Sequence, residues 1–325
     1  MTSEQIGNLS EVLVWATLVC FTIALVAFAV DLARRTDART TSRAAEKELV
    51  GAGGPAPSTG SAAAVVEPVE TPTRRRAAGI AMSTTVLGDL LLLAGIVSRG
   101  IAAGRTPWAN MYEFTLVGSF VAVTVFLVVG TRRDVRFLGA FVTGIAAVFL
   151  TLGLNVFYIA AMGVQPALQS YWLVLHVGVA ISATGVFTVA FAASVLQLLR
   201  TARDGGAALM SGWRWLDRIP TPQSLEALSF RLNAVGFVLW TFTIIGGAIW
   251  AEHAWGRYWG WDPKETWSFV IWTVYAAYLH ARTTRGWAGT RAAWFVVVGY
   301  VCVLFNFTVV NLVINGLHSY SGLTS

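Results

Sequence analysis

The sequence predicts an all-α, polytopic integral membrane protein with about eight transmembrane helices and both termini outside. Three observations carry this expectation. Hydrophobic residues make up 56% of the 325 residues and charged residues only 12%, and mean hydropathy is +0.63. An ordinary soluble domain carries about twice that charge. Apolar runs able to cross ~30 Å of hydrocarbon recur along the chain, which favours one membrane domain over two soluble ones. Lys and Arg, finally, crowd into alternate connecting segments.

The apolar runs lie at 12–30, 80–98, 114–130, 136–159, 172–198, 228–250, 266–282 and 292–313. The opening MTSEQIGNLSE lacks a basic leader region, so 12–30 is expected to be a retained span and not a cleaved signal. With the N-terminus outside, the inner segments hold 19 of the 23 basic residues, and only Arg99, Arg105, Arg257 and Lys264 remain outside. Inner loops of membrane proteins are normally basic, so the formal charge of +6 is a topology signal and nucleic acid is not required. The expected organisation is a first span (1–33), a flexible cytoplasmic tether (34–79) and a seven-span core (80–325). The tether contains GAGGPAPSTGSAAAVVEPVETPTRRR, whose composition cannot build a core. Trp213 and Trp215 suit the inner membrane interface. Cys20 and Cys302 sit in apolar runs without C-x-x-C or metal-ligand spacing and read as small buried side chains.

Chemistry concentrates at the outer end. The segment GRYWGWDPKETWSFVIW (256–272) holds four tryptophans and begins in an external loop region expected at 250–267. Trp255, Trp259, Trp261 and Trp267, with Tyr258 and Trp250, fit either an aromatic belt or a platform for a flat ligand. Asp262-Pro263-Lys264-Glu265 reads as a helix start, with Asp262 as cap and Glu265 completing a capping box. Capping leaves Arg257 and Lys264 unexplained, whereas a ligand with a flat apolar face and anionic edges would use rings and cations together. His176 and His318 flank this loop from the same side, and two neutral imidazoles can coordinate one iron axially. Each also suits an ordinary interfacial polar position. His280 lies 15 residues beyond Glu265, about 22 Å along a helix, near the inner end of its span. An ionisable residue at membrane depth is a functional candidate. His253 reads as a surface group. In GRTPWANMYEF (104–114), Asn110 and Glu113 are placed to line the same cavity, or, for Asn110, to cap a helix.

Four separated motifs now carry a resemblance. WGRYWGWDPKETWSFVIWTVYAAYLHAR resembles the tryptophan-rich signature of the CcsA/ResC proteins of cytochrome c biogenesis. TPWANMYEF, LQSYWLVLH and NGLHSYSG are similar to that family's other landmarks, in the same order, over roughly residues 80–322. The resemblance implies a haem-handling subunit in the cell membrane, with haem b as cargo at the outer face. It implies a separate ResB/CcsB-like membrane partner, apocytochrome c as recipient, and thiol-reducing proteins upstream. His176 and His318 would be the external axial ligands, and His280 an intramembrane ligand opposite one from the partner. Haem would be joined through thioethers to the thiols of a C-x-x-C-H sequence; this chain has none, so it reads as handler and not product. No catalytic side chain is expected here, since the thiols come from the recipient and the protein supplies positioning. Two other classes stay open on the residues: an intramembrane b-type cytochrome with buried histidine pairs, and a transporter of another amphipathic substrate.

Overall fold

The structure is a computed structural model and describes residues 1–51, 72–163 and 170–318. The described chain is helical: α1 (Ser3–Gly51), α2 (Pro72–Ala103), α3 (Met111–Gly130), α4 (Arg136–Asn155), α5 (Gly178–Asp204), α6 (Pro222–Trp255), α7 (Pro263–Thr284), α8 (Thr290–Phe307) and the short α9 (Val309–Leu312). A π-helical turn, Leu173–Val177, leads into α5. Helices are the expected element because backbone amides in hydrocarbon must be satisfied within their own segment.

Successive helices run in opposite directions. At the outer end, Ser10 near the start of α1 donates to Gly95 near the end of α2. At the inner end, Arg200 of α5 donates to the Leu216 and Ile219 carbonyls of the loop before α6. By length and composition seven helices can cross a membrane, and α7 is not among them. Lys264, Glu265, His280 and Arg282 dilute its hydropathy. Yet its first residues meet His318 at the outer end, and Arg282 in its last turn pairs with Glu226 at the start of α6, at 2.7 Å. Hence α7 runs the full length of the bundle, and α1–α8 give the eight crossings. The chain is a multi-pass membrane protein.

Two faces of each helix are apolar. On α1, Val12, Val19, Ile23 and Val26 point outward while Val14, Phe21, Ala24 and Phe28 are buried. The outward stripe meets lipid and the inward one meets protein, so hydrophobic periodicity is weak even where packing is specific. Close approach uses small residues: the Phe28 ring fills the place a Cβ on Gly139 would need. Two apolar clusters result, one centred on α1–α5 and one on α5–α8 that includes the stacked rings of Phe187 and Tyr275, 4.0 Å apart.

Residues 52–71 of the expected tether lie outside the described residues; α1 continues to Gly51 on one side and α2 begins at Pro72 on the other. In the inner loop before α6, Trp213 and Trp215 stack at 6.0 Å and Trp213 remains exposed, as suits an interface. Cys20 and Cys302 are free and half-buried.

Candidate functional site

A cavity of about 190 Å³ opens among the outer ends of α3, α5, α6, α7 and α8. Each wall has a local cause. Asn110 caps α3 by accepting from the Glu113 amide at 2.9 Å, and this turn sets Trp108, Met111 and Phe114 at the rim. Gly256 ends α6 in the left-handed conformation (φ 68°), which turns the chain into the tryptophan-rich loop. Asp262 and Glu265 form the expected capping box at the start of α7. Glu265 also accepts from the Gly260 amide at 2.8 Å and from Arg257 at 3.2 Å. That carboxylate therefore folds the loop back onto its own helix.

Both candidate histidines face the cavity, and each has one ring nitrogen committed. His176 Nδ1 lies 2.9 Å from the Thr243 carbonyl. Facing an acceptor, that nitrogen must carry the proton, leaving Nε2 with a free lone pair. His318 Nδ1 donates to Asp262 Oδ1 at 2.7 Å, with the same consequence for its Nε2. Asp262 Oδ2 accepts from the Leu317 amide, also at 2.7 Å. Burial alone would raise the Asp262 carboxyl, but these hydrogen bonds, led by His318, hold it below the usual carboxylate range.

His176 is fixed by a niche as well as a bond. A Cβ on Gly247 would lie 2.7 Å from His176 Cε1, so the imidazole occupies space that only glycine leaves. Trp250 meets the same ring edge-on at 5.7 Å, and Trp255 meets His318 at 4.9 Å. The π-helical turn adds a residue to the helical path where His176 sits, a distortion frequent at functional sites.

Lys264 reaches inward. Its Nζ donates to the Asn306 carbonyl at 2.9 Å and to Asn311 Oδ1 at 3.0 Å. Among the described residues no carboxylate forms an ion pair with it, and burial pushes the amine down to about 7 against the opposing charge of nearby Asp262. Arg257, by contrast, has Glu265 and lies over the Trp255 ring.

The expected site residues thus divide. Asn110, His176, Tyr258, Trp259, Lys264, Glu265 and His318 line the cavity. Trp255, Arg257 and Asp262 stand just behind it and hold its lining. Trp261 points away and is 69% exposed, and Trp267 packs on Phe305 at 4.1 Å. Glu113 is fully buried between Arg99 and Arg105, at 3.0 and 2.7 Å, where it pins the outer loops and does not reach the cavity. His280 is exposed near the far end of α7, on an outward stripe with Phe269, Thr273 and Ala277. His253 is exposed on the surface.

Sequence reasoning passed over Trp108, Trp240, Gly247, Asn306 and Asn311 as parts of this wall. Trp108 lay inside a quoted motif. The others lie within apolar spans: Trp240 and Gly247 carry no local mark there, whereas Asn306 and Asn311 were a usable signal, since polar side chains in a span face the protein interior.

Residues 108–318 match the family model described as "Cytochrome C assembly protein". The chain is 36% identical over 266 residues to the cytochrome c biogenesis protein CcsA of Synechococcus sp. (strain CC9902), covering 74% of this chain and 86% of that one. It is 32% identical over 279 residues to CcsA of Porphyra purpurea, covering 75% and 88%. Against CcsA of Chlamydomonas reinhardtii it is 34% identical over 249 residues, covering 74% and 69%. The solved structure named cytochrome c heme lyase CcmF superposes with a TM-score of 0.62 at 16% identity, over 99% of this chain and half the length of the other. At that identity the likeness is one of fold.

Proposed function

Because this chain belongs to the cytochrome c assembly protein family, we propose that it is the haem-handling subunit of a cytochrome c maturation complex, presenting haem at the outer cavity for thioether attachment to the C-x-x-C-H thiols of apocytochrome c. One observation carries the proposal: two histidines from distant parts of the chain each have Nδ1 tied to a protein acceptor and Nε2 left free at the same aromatic cavity. That pattern suits axial ligands, because a metal-ligating imidazole normally donates its other ring N–H to a carbonyl or carboxylate.

The rest of the donor set fits haem b as cargo. Trp108, Trp240, Trp250, Tyr258 and Trp259 offer apolar faces and edges to a porphyrin, at roughly 25 cal/mol per Å² of apolar area withdrawn from water. Lys264 supplies a cation to a propionate carboxylate. When bound, the cargo supplies the vinyl groups that accept the thiols. The chain itself supplies position: the fixed imidazoles set the plane, the loop and rim set the open edge, and no side chain is needed as acid, base or nucleophile.

His280 supports a partner. It stands outward from the bundle near the inner end, beside small and polar residues where lipid-facing positions elsewhere carry Val, Ile or Leu. A helix of a ResB/CcsB-like protein against this face would supply the opposite ligand. The whole of residues 80–325 acts as the core in this reading, with 1–33 as an added span and 34–79 as the tether. Apocytochrome c and thiol-reducing proteins act at the outer side.

The test is the absorption spectrum of the protein purified with its partner, wild type beside His176→Ala, His318→Ala and His280→Ala. Low-spin haem in the wild type that turns high-spin in the first two variants supports the outer cavity. Loss caused by His280→Ala alone moves the site inward, toward a b-type cytochrome. No haem in any preparation leaves a transporter of another amphipathic substrate.

A further inference from the structure

The two imidazoles are held by unlike devices. His176 belongs to the bundle: it sits on the turn into α5, bonded to a main-chain carbonyl of α6 and seated against Gly247. His318 belongs to no helix. It rides on the segment that follows α9, six residues beyond Leu312. Asp262 holds that segment: its two oxygens take His318 Nδ1 and the Leu317 amide. A Cβ on Gly316 would lie 2.6 Å from Asp262 Oδ2, so the strap passes directly over the carboxylate.

Asp262 is in turn rigid. It caps α7 by accepting from the Lys264 amide, and its own amide donates to Glu265. Its side chain is 5% exposed, against 21% for His318. The anchor is thus a helix start, and the anchored group is a loop.

Resting on the haem reading above, we propose that Asp262 is a positioning residue for His318, and that His318 is the exchangeable axial ligand while His176 is the fixed one. A carboxylate behind an imidazole fixes its orientation and strengthens the opposite nitrogen as a donor; losing such a partner typically costs ~10–100-fold in ligand affinity. A ligand on a strap can leave without disturbing the bundle. One on a buried turn cannot. Release of the finished product needs one side of the iron to open, and this arrangement assigns that side to His318.

Asp262→Asn isolates the effect, because Asn caps a helix about as well as Asp while removing the charge behind the imidazole. Free imidazole is titrated into the haem-loaded complex and followed by absorption. Asp262→Asn should bring displacement to ~10–100-fold lower imidazole concentration than in the wild type. On haem-free protein, amide exchange across 313–318 should quicken in Asp262→Asn while 170–180 stays as it was.

Unchanged imidazole competition in Asp262→Asn overturns the proposal. Faster exchange spread evenly over both segments also overturns it, because that makes Asp262 a general support of the outer end. A wild type that takes up no haem overturns the functional reading itself; it shows before any substitution and leaves the exchange difference on haem-free protein intact.

Discussion

Replacing Gly247 with Ala adds one methyl group at the most demanding point of the cavity. The new Cβ would lie 2.7 Å from His176 Cε1, 3.1 Å from Nδ1 and 3.5 Å from Nε2. Carbon atoms sit comfortably at about 3.5–4.0 Å, so the ring must retreat by roughly 1 Å. Thr243, one turn earlier on the same face of α6, holds Nδ1 at 2.9 Å, and that retreat takes the bond past its useful length. Overpacking costs about 1–3 kcal/mol and the hydrogen bond about 1 kcal/mol. If the ring shift appears in ligation, roughly 1–3 kcal/mol corresponds to about 5–150-fold weaker haem binding. Gly246 is the control. A Cβ there meets nothing nearer than Trp172 at 3.6 Å, an ordinary contact. Both substitutions gain similar helix propensity, so the difference between them reads the niche alone. Haem titration with absorption detection should show Gly246→Ala near wild type and Gly247→Ala weakened, with a high-spin fraction. Equal affinities and spectra in the two variants would refute the reasoning that Gly247 seats His176.

Three other outcomes follow from named contacts. Glu113→Ala strands Arg99, which is 2% exposed, and should cost about 3–5 kcal/mol, read as an earlier thermal transition in detergent, while haem bound by the folded fraction keeps its spectrum. Lys264→Met should abolish preference for haem over its dimethyl ester, measured by paired titrations; a wild type that binds both alike would deny the cation its role. Trp261, the one described non-glycine residue at positive φ (58°), should accept Gly with a gain of up to about 1 kcal/mol in thermal stability, whereas Trp261→Ala keeps the strain.

Part of the protein was written locally. Apolar length is a property of short segments acting against a bilayer, so the long helices could be read by counting. The same holds for the start of α7, since a capping box is closed within four residues. Even α7 itself was legible as a span, although composition alone does not mark it. The four motifs pointed to the family for a similar reason: each is compact in sequence.

The cavity was not local. Glu113 stood in a motif beside Asn110 and looked equally fit to line the site, yet two arginines from outside its own helix draw it into a buried ion pair. Trp267 and Trp259 belong to one aromatic run, but only Trp259 faces the cavity, because the helix start turns the other ring onto Phe305. Gly247 reads in sequence as one of many small residues in an apolar span; its meaning depends on a histidine 71 positions earlier pressing against it. In a membrane both faces of a helix are apolar, so no periodic signal tells lining from lipid contact. Residue type and order by themselves determined the bundle and the family. Only the packing of α3, α5, α6, α7 and α8 decided which imidazole nitrogens are free, that Lys264 turns inward to Asn306 and Asn311, and that one carboxylate holds the His318 strap.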